Sequence, residues 1–465
     1  MFADRKARIG LLGLMFKLYD RWPEVKPVVA GFAREIATAM SPFAEVDFPG
    51  VCDTPGQVSE AVARFERGGA DMVVVLFLTY CPSHVALPAL QRTRLPILIL
   101  NTQQLQAVDR QIREVDLTYN HGMHGVQDLA NVLLRAGRSF HIVTGSHWDA
   151  GVMQEVRDWC DAARTAAGLR QSRIALLGHQ MPQMGDIAID ETALLAQLGV
   201  TVERVPLRVV AERAAAAPTD ALEAQMAADR REFEVEPGIP PEEHEASARL
   251  EWAIRALLQE GRYDGWSPYF GAFDEDQRVE TLPFLAACKL LGEGYAFGAE
   301  GDVTAAAAMC IMDGLAGPAG FTEMFTMDLA GNGVLMNHMG EGNYRLARTD
   351  QRVRLRRRPF ALVDLTPPLL LWFAHRPGPV TLASLTTVAN GRLKLIIAQG
   401  EVADFPPIED ITSPHWKYLP DKPLGEFLTR FSEEGGSHHQ ALAYGHVASK
   451  VVKLARLLGL EYAVV

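Results

Sequence analysis

Short, near-continuous apolar runs alternate with amphipathic stretches over the first third of the chain. Residues 9–14, 44–48, 72–78, 96–100 and 140–143 read as strands, and residues 28–40, 57–67 and 84–92 read as helices between them. Strands that are apolar on both faces need cover on both sides, the condition of a parallel sheet with helical crossovers. A doubly wound α/β domain is expected over residues 1–168. After a long helix at 152–167 the alternation restarts, with strands at 173–178 and 200–205 around a helix at 191–198, so a second α/β domain is expected over 169–319. Beyond about Gly320 the pattern changes. Residues 334–336, 352–355, 380–388 and 392–398 read as antiparallel strands, and Asn390-Gly391 between the last two is a strong hairpin signal. A mainly β, barrel-like domain is expected over 320–465, closing with a helix at 448–457 and a last strand at 461–465.

Length and charge narrow the picture. A chain of 465 residues exceeds what one hydrophobic core usually serves, in keeping with several domains. With 48% hydrophobic and 22% charged residues it has the balance of a chain that folds throughout. A formal net charge of -12 disfavours nucleic acid, which would need a basic surface, and leaves a small molecule as the expected partner. The opening residues, Met1 to Lys6, lead into a short apolar run, Ile9 to Met15, that lacks a small-residue cleavage site and is too short to cross a bilayer. Cys52, Cys81, Cys160, Cys288 and Cys310 are widely spaced with no Cys-x-x-Cys pair, so a reduced, cytoplasmic setting is expected.

Four residues carry metal-binding chemistry in distinctive surroundings: Glu300 in Gly298-Ala299-Glu300-Gly301-Asp302, Glu323 after Phe321-Thr322, His338 in Asn337-His338-Met339, and His439 in Gly435-Gly436-Ser437-His438-His439. Two carboxylates and two imidazoles suit a divalent ion of intermediate hardness better than the thiolate sets zinc favours. Taken singly, each has a plain reading. Glu300 sits where an acid favours a helix N-terminus, and the other three fit exposed polar positions. The arginine-rich run Arg352 to Arg358 reads as a solvated strand face ahead of an anion site.

Taken together and in order, these motifs resemble the L-arabinose isomerase and L-fucose isomerase family, most closely its arabinose isomerase branch. Weaker similarity runs through Asn101-Thr102-Gln103, Gly145-Ser146-His147-Trp148-Asp149 and Leu282-Pro283. The resemblance implies two α/β domains followed by a β-barrel-like domain. It implies that Glu300, Glu323, His338 and His439 bind Mn2+ or a similar cation such as Co2+ or Mg2+, and that Glu300 and Glu323 are also the catalytic acid/base pair. His438, Gln103 and Met181 would reach the sugar, with Tyr19 and His124 as further substrate-binding candidates and His121 behind them. A homo-oligomer, a trimer or hexamer, is implied because the family completes its pocket with a neighbour's first domain.

The run Gly13-Leu14-Met15-Phe16-Lys17-Leu18-Tyr19 departs from the branch's pattern, placing Phe16 where a substrate-contacting glutamine is expected. The expected activity is therefore metal-dependent aldose-ketose isomerisation through a cis-enediolate, on a sugar other than L-arabinose. An epimerase or lyase using the same enediolate, and a non-catalytic sugar-binding protein, are the alternatives.

Overall fold

The computed structural model describes residues 5–465; Met1 to Asp4, which open the chain, lie outside the described residues. The chain divides into two compact units, one ending at Ala167 and the other running from Gly168 to Val465.

The first unit is built on a parallel sheet. Its strands are β1 (Ala7–Leu14), β2 (Ala44–Asp47), β3 (Val51–Cys52), β4 (Met72–Phe77), β5 (Ile97–Asn101) and β6 (His141–Thr144). They are ordered β2-β1-β4-β5-β6, and β3 also pairs with β1. Every residue of β4 is buried, as its unbroken apolar run requires. Helices Val25–Met40, Pro55–Arg67 and Gly122–Arg135 each bury a stripe of apolar side chains. The second of these starts where the sequence dictates: Thr54 accepts the Gln57 amide, Gln57 returns the bond, and Pro55 fills the first turn. Crossovers leave β1 in both directions, so its carboxyl end is a topological switch point, the usual place for a ligand crevice. The segments carrying Phe16, Tyr80 and Gln103 leave the sheet at that edge, after β1, β4 and β5.

The second unit holds β7 (Arg173–Leu177), β8 (Thr201–Val205), β9 (Glu234–Val235), β10 (Gly265–Pro268), β11 (Ala296–Phe297), β12 (Ala319–Asp328), β13 (Gly333–Asn337), β14 (Arg354–Arg357), β15 (Leu369–Trp372), β16 (Gly378–Val388), β17 (Arg392–Val402), β18 (His415–Pro420), β19 (His439–Tyr444) and β20 (Glu461–Val464). A parallel sheet runs β11-β10-β7-β8. An antiparallel ring runs β16-β19-β12-β13-β18-β17 and closes through β16–β17 pairing, with β20 added beside β17. The expected α/β architecture and barrel-like C-terminal sheet are both present. The β16–β17 hairpin turns at Asn390 (φ 64°) and Gly391 (φ 69°), the two left-handed positions that Asn-Gly supplies at low cost.

Helix Val303–Ala316 lies between the parallel sheet and the ring, packed on β10 and β11 and on β12, β16 and β19. All residues from Val303 to Leu315 are buried, and the small side chains of Ala305 to Ala308 let strands approach it closely. No helix among the described residues is long and apolar enough to cross a membrane.

One strand differs from expectation. The arginine-rich segment, read as part of the C-terminal antiparallel sheet, forms β14 from Arg354, and β14 lies in a separate three-stranded sheet between β15 and β9. Its arginines pair with Glu236 and Glu243, so charge partners distant in the chain select its neighbours.

Candidate active site

Glu300 stands on a tight turn at the carboxyl end of β11, the outer strand of the β11-β10-β7-β8 sheet. Its φ is 61° and that of Gly301 is 81°, two successive left-handed residues, which a glutamate adopts only when its surroundings impose it. Gly301 is required there on two counts. Its φ is positive, and a Cβ would fall 2.4 Å from the Cα of Gln180. The turn is held by the Met181 amide, which donates to the Glu300 carbonyl at 2.8 Å, and by the Gly301 amide, which donates to Pro268 at 2.9 Å.

The ring supplies the remaining groups. In β12, Glu323 is in register with Asn337 of β13 on one side and His439 of β19 on the other. His338 follows β13 directly. Phe321, two residues before Glu323, packs its ring 4.9 Å from both the His338 and His439 rings, and those two rings are 5.3 Å apart. Glu300 Oε2 lies 3.6 Å from His439 Nε2 and 3.6 Å from His438 Nε2. Ligand atoms of Glu300, His438 and His439 all fall within 4.8 Å of one another. Glu323 and His338 flank this trio without joining it at that distance, so the tightest grouping includes His438, which the family resemblance assigns to the sugar.

Each histidine has a carboxylate on its other nitrogen. His439 Nδ1 lies 3.0 Å from Asp302 Oδ2, His338 Nδ1 lies 2.6 Å from Glu341 Oε2, and His438 Nδ1 lies 2.5 Å from Asp186 Oδ2. An ionised carboxylate only accepts, so each Nδ1 carries a proton, and in His438 and His439 it is Nε2 that faces Glu300. Asp186 also receives the His438 amide at 3.2 Å and the Ser437 hydroxyl at 3.1 Å. Asp186, Asp302 and Glu341 were not among the residues expected from sequence. Asp302 and Glu341 could have been found, being two and three residues from Glu300 and His338, whereas nothing local to Asp186 signals its role.

Glu300 Oε2, His438 Nε2 and His439 Nε2 are buried with no hydrogen-bond partner among the described residues. Three such atoms converging on one point are costly unless something fills it, and a divalent cation fits this oxygen and nitrogen set. The charges are mutually supporting. Burial disfavours an ionised Glu300, but His438, His338 and His439 outweigh it and lower its pKa. Burial likewise disfavours charged His438, yet Glu300 and Asp186 push its pKa up to about 9. For His338 burial is outweighed chiefly by Glu341, with Glu323 and Glu300 adding to the rise.

Beside these groups is a cavity of about 150 Å³. Glu300, His338 and Glu341 are at its polar side, and Met181, Phe270, Phe284 and Phe360 wall it. Met181 and Glu300 thus line the same cavity.

The other substrate candidates belong to the first unit. Tyr19 packs edge-on to Phe16 at 5.7 Å, and Phe16 meets Tyr80 at 5.5 Å. His124 stacks on Tyr80 at 4.5 Å, with its Nδ1 3.1 Å from His121 Nε2. Gln103 makes no ring or hydrogen-bond contact with this cluster among the described residues; its amide donates to the Leu105 carbonyl at 2.8 Å.

Comparison with known proteins gives a consistent assignment along the chain. Residues 23–171 match the L-arabinose isomerase N-terminal domain, 173–317 the central domain and 318–461 the C-terminal domain. L-arabinose isomerase of Acidothermus cellulolyticus is 27% identical over 84% of this chain and 80% of its own. That of Thermotoga petrophila is 27% identical over 88% and 84%, and that of a Nocardioides species 27% identical over 95% and 91%. Among solved structures, a periplasmic solute-binding protein of Actinobacillus succinogenes 130z aligns at 14% identity over 67% of this chain and 92% of its own, with a TM-score of 0.18 that bears no argument. Three successive domain matches along the chain place it in the L-arabinose isomerase family of aldose-ketose isomerases.

Proposed function

We propose that the protein is a divalent-metal-dependent aldose-ketose isomerase whose preferred substrate is not L-arabinose. The observation that carries the metal reading is the convergence of unpartnered Glu300, His438 and His439 atoms, with a carboxylate behind each histidine. The family is generally dependent on a divalent metal. Glu300, Glu323, His338 and His439 would hold the ion, with Mn2+ the expected occupant. When bound, such an ion polarises the carbonyl and hydroxyl of the sugar and stabilises negative charge on oxygen.

The chain's own residues then move the protons. One of Glu300 and Glu323 takes the proton from the carbon next to the carbonyl and returns it to the neighbouring carbon, while the other serves the hydroxyl groups. The lowered pKa of Glu300 keeps it ionised and able to accept at neutral pH. The His438 side chain is 29% exposed against 1% for His439. That exposure supports His438 as the sugar-facing hydrogen-bond donor and His439 as the ligand. Asp186 fixes the ring of His438 from behind.

The substrate reading rests on Phe16. Its ring is held between Tyr19 and Tyr80, so it replaces a hydrogen-bonding side chain with a fixed apolar one. A sugar hydroxyl left unpaired there is strongly disfavoured. Gln103, His124 and Tyr19 are proposed to contact the sugar in a homo-oligomer, a trimer or hexamer, which light scattering would test; a fully active monomer would overturn that assembly.

The deciding experiment screens neutral and modified aldoses and ketoses with Mn2+ and follows products by NMR in deuterated water. Ketose formation with solvent deuterium at the carbon next to the carbonyl is expected. Epimers or cleavage products would overturn the reaction class, and L-arabinose emerging as the best substrate would overturn the Phe16 argument. Retained Mn2+ binding by Glu300→Gln would remove that residue from the ligand set.

A further inference from the structure

The cavity beside Glu300 divides by chemistry. Its polar side is Glu300, His338 and Glu341; the rest of the wall carries the side chains of Met181, Phe270, Phe284, Met339, Phe360 and Leu362, none of which can donate a hydrogen bond. Two prolines complete that wall, and a proline has no amide hydrogen to offer. Backbone carbonyls along it are already engaged. Those of Pro268, Pro283, Ala299 and Glu300 accept the amides of Gly301, Ala287, Asp302 and Met181 at 2.9, 2.8, 2.8 and 2.8 Å.

The apolar wall is held in place from behind. The Phe360 ring meets Phe270 and Phe284 edge-on at 5.7 Å and 5.4 Å, and Phe284 packs so closely on Gly340 that a Cβ there would fall 2.4 Å from its ring. The segment carrying Phe360 and Leu362 is tied down further along: the Asp364 amide donates to the Asp274 carboxylate and the Thr366 amide to the Glu280 carbonyl, both at 2.9 Å. Met181, Phe270, Met339 and Phe360 are nevertheless only half-buried, and Leu362 is 63% exposed. Incompletely covered apolar side chains around one cavity gain from burying an apolar group and lose when an unpaired hydroxyl is brought among them. A sugar whose first two oxygens meet an ion held in part by Glu300 and His338 has this cavity beside it for its remaining carbons, since both residues line it. A hydroxyl at its far end would face side chains that cannot answer it.

We propose that this wall selects a terminally deoxygenated aldose, one whose carbon farthest from C1 is a methyl group, with Phe270, Phe284, Phe360 and Leu362 as the specificity-determining residues. This rests on the isomerase reading above and adds the substrate class to it. The plain alternative is that the rings only cover the C–H face of a fully hydroxylated sugar, in which case a change in the wall affects a deoxy sugar and its parent alike.

The test uses the full-length protein with Mn2+ and a panel of 5-deoxyaldopentoses and 6-deoxyaldohexoses, each beside the parent sugar of the same configuration. For the preferred configuration the deoxy sugar should exceed its parent in kcat/KM by ~10- to 100-fold, the range by which an apolar pocket rejects an added hydroxyl. Leu362→Gln, at an exposed position where a polar side chain leaves the fold intact, and Phe360→Tyr, which keeps the ring, each bring a hydrogen-bonding group to the wall and should lower that ratio by ~3- to 10-fold. Calorimetric titration of the Mn2+-loaded protein with the two alditols made by reducing the preferred pair should rank them in the same order without turnover. Parent sugars used as well as their deoxy counterparts in every pair overturn the proposal and leave the isomerase reading intact. A deoxy preference unchanged in both variants overturns the assignment to this wall; Mn2+ binding with no sugar of either kind converted overturns both readings.

Discussion

Asp302 and His439 are joined across the junction of helix and ring: Asp302 Oδ2 lies 3.0 Å from His439 Nδ1 while its Oδ1 accepts the Ala305 amide at 2.9 Å. One side chain therefore caps helix Val303–Ala316 and fixes the tautomer and orientation of an imidazole 137 residues away. Both partners are buried, so the link is shielded from water and salt.

Asp302→Ala should remove both functions. Loss of the cap costs ~0.5 to 2 kcal/mol, and loss of the carboxylate behind a ligand imidazole weakens metal binding by ~10- to 100-fold. Asp302→Asn keeps a capping oxygen but not the charge behind His439, so its Mn2+ affinity should fall with a smaller loss of melting temperature. Calorimetric Mn2+ titration and thermal melts on the two variants separate the effects; equal Mn2+ affinity in both variants and wild type would refute the link.

Mn2+ should stabilise the protein against heat, and the gain should disappear in Glu300→Gln. At a free metal concentration one hundred times Kd the expected stabilisation is ~2.7 kcal/mol. Thermal melts with Mn2+ and with chelator test this; a Glu300→Gln protein that keeps the whole shift would place the ion elsewhere.

Gly301→Ala should destabilise the site turn. A left-handed alanine costs ~1 to 2 kcal/mol before any clash, and the added Cβ meets the Gln180 backbone at 2.4 Å. A falling urea midpoint together with weakened Mn2+ binding is expected. Wild-type stability in this variant would show that the turn relaxes freely.

His375 should make the fold acid-sensitive. It is buried between Phe373 and Trp416, with ring centres at 5.6 Å and 5.3 Å, and burial, aided by Arg376 and His415, lowers its pKa from 6.5 to about 3. The unfolded chain then takes up a proton below pH 6.5 that the folded chain refuses until about pH 3. The stability contribution is complete above pH 6.5 and falls by ~1.4 kcal/mol per pH unit between those values. Urea unfolding from pH 7 to pH 4 should show a shallower pH slope in His375→Phe than in wild type; identical slopes would refute the assignment.

Elements governed by neighbouring residues were legible in the chain alone. The apolar run at β4 demanded cover on both faces, Asn390-Gly391 demanded a tight hairpin, and Gly301-Asp302 marked the start of the helix after Glu300. These follow from backbone sterics, side-chain periodicity and capping, which act within a few residues. Tertiary structure decided what depends on distant partners. Strand β14 joined β9 and β15 because Glu236, Glu243 and Trp372 complement its arginines, although its alternation fitted the ring equally well. His438 found Asp186 across 252 residues, a pairing that no local signal in the chain marks. Periodicity specifies which face of a strand is apolar; which charges meet across the fold is determined by packing and desolvation, and those arise only when the elements assemble.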